Sequence, residues 1–187
     1  MPFVDLPSLL PDIRYLEPRV FGDERGFFFE SWSAPDFAAL GITATWVQDN
    51  HSRSAAGVLR GLHFQRGIHA QDKLIRVTTG RVWDVVLDVR RSSPTFGRWS
   101  SFELSAINKR ILFVPKGFAH GFLSLEDGTE FLYKCSAPYN PASEGGVAWN
   151  DPVLAIPWPF AGTTPQLSDR DRRWPLLNEL SLDELFP

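Results

Sequence analysis

Apolar and polar residues alternate with period two through much of the middle of this 187-residue chain. Period two is the signature of a strand, because successive side chains leave a pleated backbone on opposite sides. Trp83, Val85, Leu87 and Val89 fall on one face of such a segment, and Asp84 and Asp88 fall on the other. The pattern predicts strands over 58–65, 73–78, 82–89, 99–104, 111–114 and 129–135. Turn signals such as Thr79-Gly80 and Asp127-Gly128 separate these runs. Phe27-Phe28-Phe29-Glu30-Ser31-Trp32 is rich in aromatics that suit a pleated surface. Ser33-Ala34-Pro35-Asp36 then predicts a helix start, with Ser as N-cap and Pro in the first turn, and Gly41 predicts its end. Ser181-Leu182-Asp183-Glu184 has the capping-box pattern and predicts a short C-terminal helix. So many strands with so little helix between them argue for an all-β antiparallel sandwich or jelly roll.

Composition narrows this picture. The length suits one domain over 1–187 with a sizeable core. Apolar residues make up 43% and charged residues 22%, the profile of a soluble globular chain. A net charge of −3 gives no general electrostatic case for nucleic acid, so an anionic ligand needs a local cluster of Arg and Lys. The single Cys135 excludes an intramolecular disulfide and agrees with a reducing compartment. Met1-Pro2-Phe3-Val4-Asp5-Leu6-Pro7 lacks the basic-then-apolar order of a secretory signal. No apolar run approaches the ~20 residues of a membrane helix. A cytoplasmic protein without a membrane partner is the expectation.

The chemistry centres on His63, in Gly57-Val58-Leu59-Arg60-Gly61-Leu62-His63-Phe64-Gln65. His-x-His would open a metal site, but the second position here is Gln65, a neutral and hard ligand. Proton chemistry is the better expectation for His63. His120 follows Pro115 and Gly117 in a Pro-x-Gly-x-x-His spacing that resembles the second motif of the cupin superfamily. A catalytic metal ordinarily takes three protein ligands, and this pattern supplies two His without the rest. No metal is expected.

Several segments occur together in one order. They are Phe21-Gly22-Asp23-Glu24-Arg25-Gly26, Gln48-Asp49-Asn50-His51-Ser52, Val58 to Gln65, Ser93-Pro94-Thr95-Phe96-Gly97, Gly117-Phe118-Ala119-His120-Gly121-Phe122 and Trp149-Asn150-Asp151-Pro152. In register they resemble the dTDP-4-dehydrorhamnose 3,5-epimerase family, from about Phe21 to about Leu177. The resemblance implies a metal-free, cofactor-free cupin jelly roll that forms a homodimer and acts on a thymidine-diphosphate 4-keto-6-deoxy sugar. The C4 ketone acidifies the protons on C3 and C5. Removing either gives an enolate, and returning a proton to the opposite face inverts the centre. Such chemistry needs a base, an acid on the other face, a donor for the enolate oxygen and an anchor for the nucleotide.

By resemblance the base is His63, paired with Asp171, and Asp169 is the rival carboxylate. The acid is Tyr133, since a phenol with a pKa near ~10 keeps its proton at neutral pH. Lys73 is the enolate stabiliser, and His120 helps hold the sugar, with Gly117 and Gly121 letting backbone approach it. Arg60 is the diphosphate ligand. Arg25 and Glu30 match nucleotide-contacting positions that act within the chain or from a neighbouring subunit. Gln48, Asp49 and Asn50 match a substrate-contacting strip, Tyr139 the residue that stacks on thymine, and Glu144 and Arg170 further binding positions.

The ordinary readings differ. A lone His or Tyr is a strand or core residue, each Arg a surface ion pair, each Asp a turn residue, and a Lys at a strand start a solvated edge. A functional Lys73 must face inward with Ile75 and Val77. Cys135 shares the face of Tyr133 and reads as a small apolar filler. One conflict is visible: strict alternation puts Arg60 and His63 on opposite faces, so a shared site demands a bulge at Gly61. A family member that inverts one centre only or moves the ketone, a sugar-nucleotide binder and a metal-dependent oxygenase are the competing readings.

Overall fold

The computed structural model describes residues 2–160, 162 and 164–187. Met1, the first residue of the N-terminal segment read above, lies outside the described residues with Ala161 and Thr163. The strands are β1 (Phe3–Leu6), β2 (Arg14–Pro18), β3 (Phe21–Asp23), β4 (Gly26–Phe28), β5 (Gln48–Ser54), β6 (Leu59–Gln65), β7 (Lys73–Thr79), β8 (Arg81–Asp88), β9 (Trp99–Ser105), β10 (Ile111–Val114), β11 (Phe118–Ser124), β12 (Thr129–Cys135) and β13 (Glu144–Gly146), with one helix, α1 (Ala34–Ala39). One antiparallel sheet runs β1-β2-β10-β7-β12-β5 and the other β13-β6-β11-β8-β9, while β3 and β4 form a separate hairpin. The two sheets face each other across a shared core, the jelly-roll arrangement predicted from the strand pattern.

Three apolar layers follow from the pleat. Between the sheets lie Ile75 and Val77 of β7, Val82 and Val86 of β8, Phe102 and Leu104 of β9, Phe122 of β11 and Phe131 of β12. The outer face of the five-stranded sheet, with Leu59, Leu62, Val85 and Leu87, is covered by the C-terminal segment through Leu154, Trp158, Leu177 and Phe186. The outer face of the six-stranded sheet, with Leu16, Leu74 and Ile111, is covered by α1 through Phe37. Both faces of β8 are therefore buried, including the side that carries Asp84.

The quoted motifs that lie away from the cavity hold loops. Asp88 is fully buried and accepts from Arg90 Nη2 at 2.7 Å and from Ser93 Oγ and Thr95 Oγ1 at 2.6 Å each. Asp151 accepts from the amides of Val153 and Leu177, both at 2.8 Å, which ties two stretches of the C-terminal covering segment together. Such buried carboxylates are tolerated because every oxygen finds a donor.

Some expectations are corrected. The 27–32 run yields strand only in Gly26–Phe28, and the capping box at 181–184 closes one turn without a helix. Ser181 Oγ donates to Glu184 Oε2 at 2.7 Å, but no amphipathic face extends the turn. The last helical element is the 3₁₀ turn Leu177–Glu179.

The bulge expected at Gly61 is present. Along β11, His120 pairs with His63 and Phe122 with Arg60, so Gly121 of β11 alone opposes Gly61 and Leu62 of β6. The extra residue puts Arg60 and His63 on the same inner face and sends Leu59 and Leu62 outward together. Close approach of two glycines permits it. A Cβ on Gly121 would sit 2.7 Å from the Arg60 carbonyl oxygen and 2.8 Å from Gly61 Cα. Gly121 thus serves strand packing rather than approach to a ligand. Gly117 does the same, since a Cβ there would meet Arg90 Cγ at 2.5 Å. Because the atoms met at Gly121 are backbone and cannot rotate away, Gly121→Ala is expected to destabilise the protein by about 1–3 kcal/mol in denaturant unfolding. Unchanged stability would show that β6 is free to shift.

Candidate active site

The inner face of the jelly roll changes from apolar to polar at one end. There, two adjoining cavities of ≈ 190 and ≈ 370 Å³ share His63, Lys73, Tyr133 and Arg170. The five-stranded sheet contributes Arg60 and His63 from β6 and His120 from β11. The six-stranded sheet contributes Lys73 from β7, Tyr133 from β12 and Gln48 and Asn50 from β5. Lys73 faces inward with Ile75 and Val77, as its functional reading required. His63 and Tyr133 stand on opposing walls.

His63 Nε2 is hydrogen-bonded to Asp171 Oδ1. With the proton on Nε2 donated to that carboxylate, Nδ1 carries the lone pair, and it has no hydrogen-bond partner among the described residues. Trp174 packs edge-on against the imidazole, with ring centroids 5.8 Å apart. Burial pushes the His63 pKa down, and the hydrogen bond and charge of Asp171 oppose the shift. Burial alone would raise Asp171, but hydrogen bonds from His63 and Ser168 outweigh it and hold the carboxyl at about 2. Asp169, the rival, is exposed beside Arg173 and Trp174 and makes no hydrogen bond or ion pair with His63 among the described residues.

Opposite, burial raises the Tyr133 phenol above its ordinary value, so it stays protonated. Lys73 makes no ion pair among the described residues, and burial lowers its pKa against the nearby Cys135, Asp84 and Glu144. Cys135 lies directly across from Lys73, is buried, and receives a hydrogen bond from Asn50 Nδ2 at 3.6 Å. Burial raises the thiol, which fits the apolar filler expected. His120 Nε2 bonds to both oxygens of Asp84 at 3.0 and 2.9 Å. Burial raises the Asp84 pKa, and the His120 charge and hydrogen bond oppose it.

At the mouth, Arg170 Nη1 donates to Glu144 Oε2 at 2.8 Å, and Tyr139 OH donates to the same oxygen at 3.2 Å. The Tyr139 amide donates to Gln48 Oε1 at 2.9 Å, which ties this cluster to β5. The Arg60 guanidinium hydrogen-bonds only Ser54 Oγ, at 3.4 Å, and makes no ion pair among the described residues. A guanidinium left without a carboxylate at a cavity is available to an anionic ligand.

Three expected residues are not brought here within one chain. Asp49 alternates to the outer face of β5 and bridges Lys134 Nζ at 2.9 Å, because strict period two separates it from Gln48 and Asn50. Arg25 and Glu30 are exposed and line neither cavity; Arg25 is paired with Asp23 at the tip of the β3–β4 hairpin. That hairpin also exposes Phe21, Phe27 and Phe28 at 51%, 63% and 67%. Ser52, Phe122, Phe131 and Ser168 line the site without having been singled out for it. Asp84 carried a signal, as a carboxylate between Val82 and Val86; the others carried none. Among the described residues no three His, Cys, Asp or Glu side chains group to hold a metal.

A jelly roll whose cavity sets a hydrogen-bonded His–Asp pair against a protonated Tyr has the layout of a cupin-type isomerase. Comparison with known proteins gives the particular family. Residues 7–179 match the family described as dTDP-4-dehydrorhamnose 3,5-epimerase. The dTDP-4-dehydrorhamnose 3,5-epimerase of Salmonella typhimurium is 53% identical over 180 residues, 96% of this chain and 98% of that one. The dTDP-6-deoxy-D-glucose-3,5-epimerase of Legionella pneumophila, solved with dTDP-4-keto-L-rhamnose, superposes with a TM-score of 0.94 at 46% identity, covering 98% and 97% of the two chains. A 3'-monoepimerase from Streptomyces bikiniensis, solved with dTDP-quinovose, superposes with a TM-score of 0.87 at 36% identity, covering 92% and 87%. The chain belongs to the dTDP-4-dehydrorhamnose 3,5-epimerase family.

Proposed function

We propose that this protein inverts C3 and C5 of dTDP-4-keto-6-deoxy-D-glucose to give dTDP-4-dehydro-L-rhamnose, in the synthesis of dTDP-L-rhamnose. The observation that carries the reading is the opposition of His63 and Tyr133 across one cavity. Inversion through an enolate takes a proton from one face of the sugar and returns one to the other, so base and acid must flank the ring. Nδ1 of His63 is the base, its tautomer set by Asp171. Tyr133 supplies the proton on the far side. Lys73, on the Tyr133 wall, stabilises the negative charge that develops on the C4 oxygen. His120, held by Asp84, hydrogen-bonds the sugar from the His63 wall.

Arg60 anchors the diphosphate. Gln48, Asn50, Glu144 and Arg170 position the nucleotide at the mouth, and Tyr139 stacks on its base. Arg25 and Glu30 act from the hairpin of one subunit on the cavity of another in a homodimer, the exposed aromatics beside them forming part of the contact. The protein works in the cytoplasm as one domain, without metal, cofactor, nucleic acid or membrane. In the described residues no helix is long and apolar enough to cross a membrane.

The test is proton NMR of the protein with dTDP-4-keto-6-deoxyglucose in deuterated water. Deuterium at both C3 and C5, with conversion to the L-lyxo sugar, is expected. Exchange at one carbon would make it a single-centre epimerase, as the Streptomyces bikiniensis likeness allows. Bound substrate with no exchange would make it a binder.

A further inference from the structure

Asp171 is gripped from three directions. Its Oδ1 accepts a hydrogen bond from His63 Nε2 and lies 3.4 Å from the Gly61 amide at the bulge. Its Oδ2 accepts a hydrogen bond from the Ser168 hydroxyl at 2.6 Å, a distance typical of a charge-assisted bond. The same Ser168 Oγ accepts the Asp171 amide at 3.2 Å, so one hydroxyl fixes both the backbone and the carboxylate of this residue. Rotation about the terminal carboxylate torsion is broad and nearly free in isolation. Holding Oδ2 sets the plane of the group and thereby aims Oδ1 at the imidazole. Asp169, one position beyond Ser168, has no such donor and points to solvent.

We infer that Ser168 is a positioning residue for the base, the third member of a Ser168–Asp171–His63 chain. Its hydroxyl keeps Asp171 aligned with Nε2, so that His63 presents Nδ1 to the substrate in one tautomer and one orientation. The inference rests on the His63–Asp171 assignment proposed above. The competing role is purely local, because a Ser hydroxyl accepting the amide three residues on is also an ordinary turn cap. A cap acts on the stability of the turn. A positioning hydroxyl acts on the chemical step with binding preserved.

Ser168→Ala, Ser168→Thr and, as reference, His63→Ala separate the two roles when kcat and KM for inversion are measured with dTDP affinity by calorimetry. Ser168→Ala is expected to lower kcat by about 10–100-fold, the loss of one hydrogen bond to a charged group, with KM and dTDP affinity little changed. Ser168→Thr, which keeps the hydroxyl, is expected to retain most of the activity. Parental kcat in Ser168→Ala overturns the inference. So does a fall in kcat matched by an equal loss of dTDP affinity, or a Thr variant as slow as the Ala variant. Parental kcat in His63→Ala would instead overturn the underlying assignment of the base.

Discussion

His63→Ala is expected to lower turnover by about 10²–10⁴-fold while leaving dTDP affinity near the parental value. The imidazole touches Asp171 and Trp174 on one side and open cavity on the other, so its loss removes the base without disturbing Arg60 or the Tyr139–Glu144–Arg170 cluster. Deuterium wash-in should fall at C3 and C5 together, since one base serves both centres. A variant that still exchanges one carbon at the parental rate would reveal a second base. The pH profile carries the same assignment. The base works in its neutral form, and burial lowers the His63 pKa, so the acid limb of kcat should fall below pH 6.5. Asp171, held at about 2, stays ionised throughout that range. On the alkaline side burial raises the Tyr133 phenol and lowers the Lys73 ammonium, so Tyr133 keeps its proton beyond its ordinary range while the Lys73 charge is lost below its own. An acid limb above pH 7 would contradict a buried neutral base.

Tyr133→Phe is expected to uncouple exchange from inversion. With His63 intact, a proton leaves and solvent deuterium returns from the same imidazole, so wash-in continues. With no hydroxyl on the opposing wall, delivery to the other face slows by about 10²–10⁴-fold. The ring itself is retained, and its packing on Phe131, with centroids 5.9 Å apart, should keep the cavity shape. Inversion at the parental rate in Tyr133→Phe would show that another donor, water or Lys73, supplies the proton. Equal loss of exchange and inversion would place Tyr133 in the abstraction step instead.

Period-two alternation located β7, β8, β9 and β12, and β10 stood out as a short apolar run, Ile111–Val114, buried at every position. β11 escaped that reading: all seven residues of Phe118–Ser124 are buried, so it shows no alternation. β5 escaped for the opposite reason. Gln48–Ser54 is polar on both faces, one lining the cavity and the other lying on the outer surface, and resembles turn chemistry.

The sequence by itself determined the all-β class and the family through its ordered motifs, and its resemblance to that family marked His63, Tyr133, Lys73 and a carboxylate at Asp171 or Asp169 as the candidate reactive set. It also demanded an irregularity at Gly61, since a shared site is incompatible with regular alternation from Arg60 to His63. Only the tertiary structure decided that Asp171 rather than Asp169 meets the imidazole, that Asp49 faces away, and that Ser168 and Asp84 stand behind the two histidines. The reason is range. Alternation and turn chemistry act over a few residues, whereas the His63–Asp171 contact closes across 108 positions and depends on how the C-terminal segment crosses the five-stranded sheet.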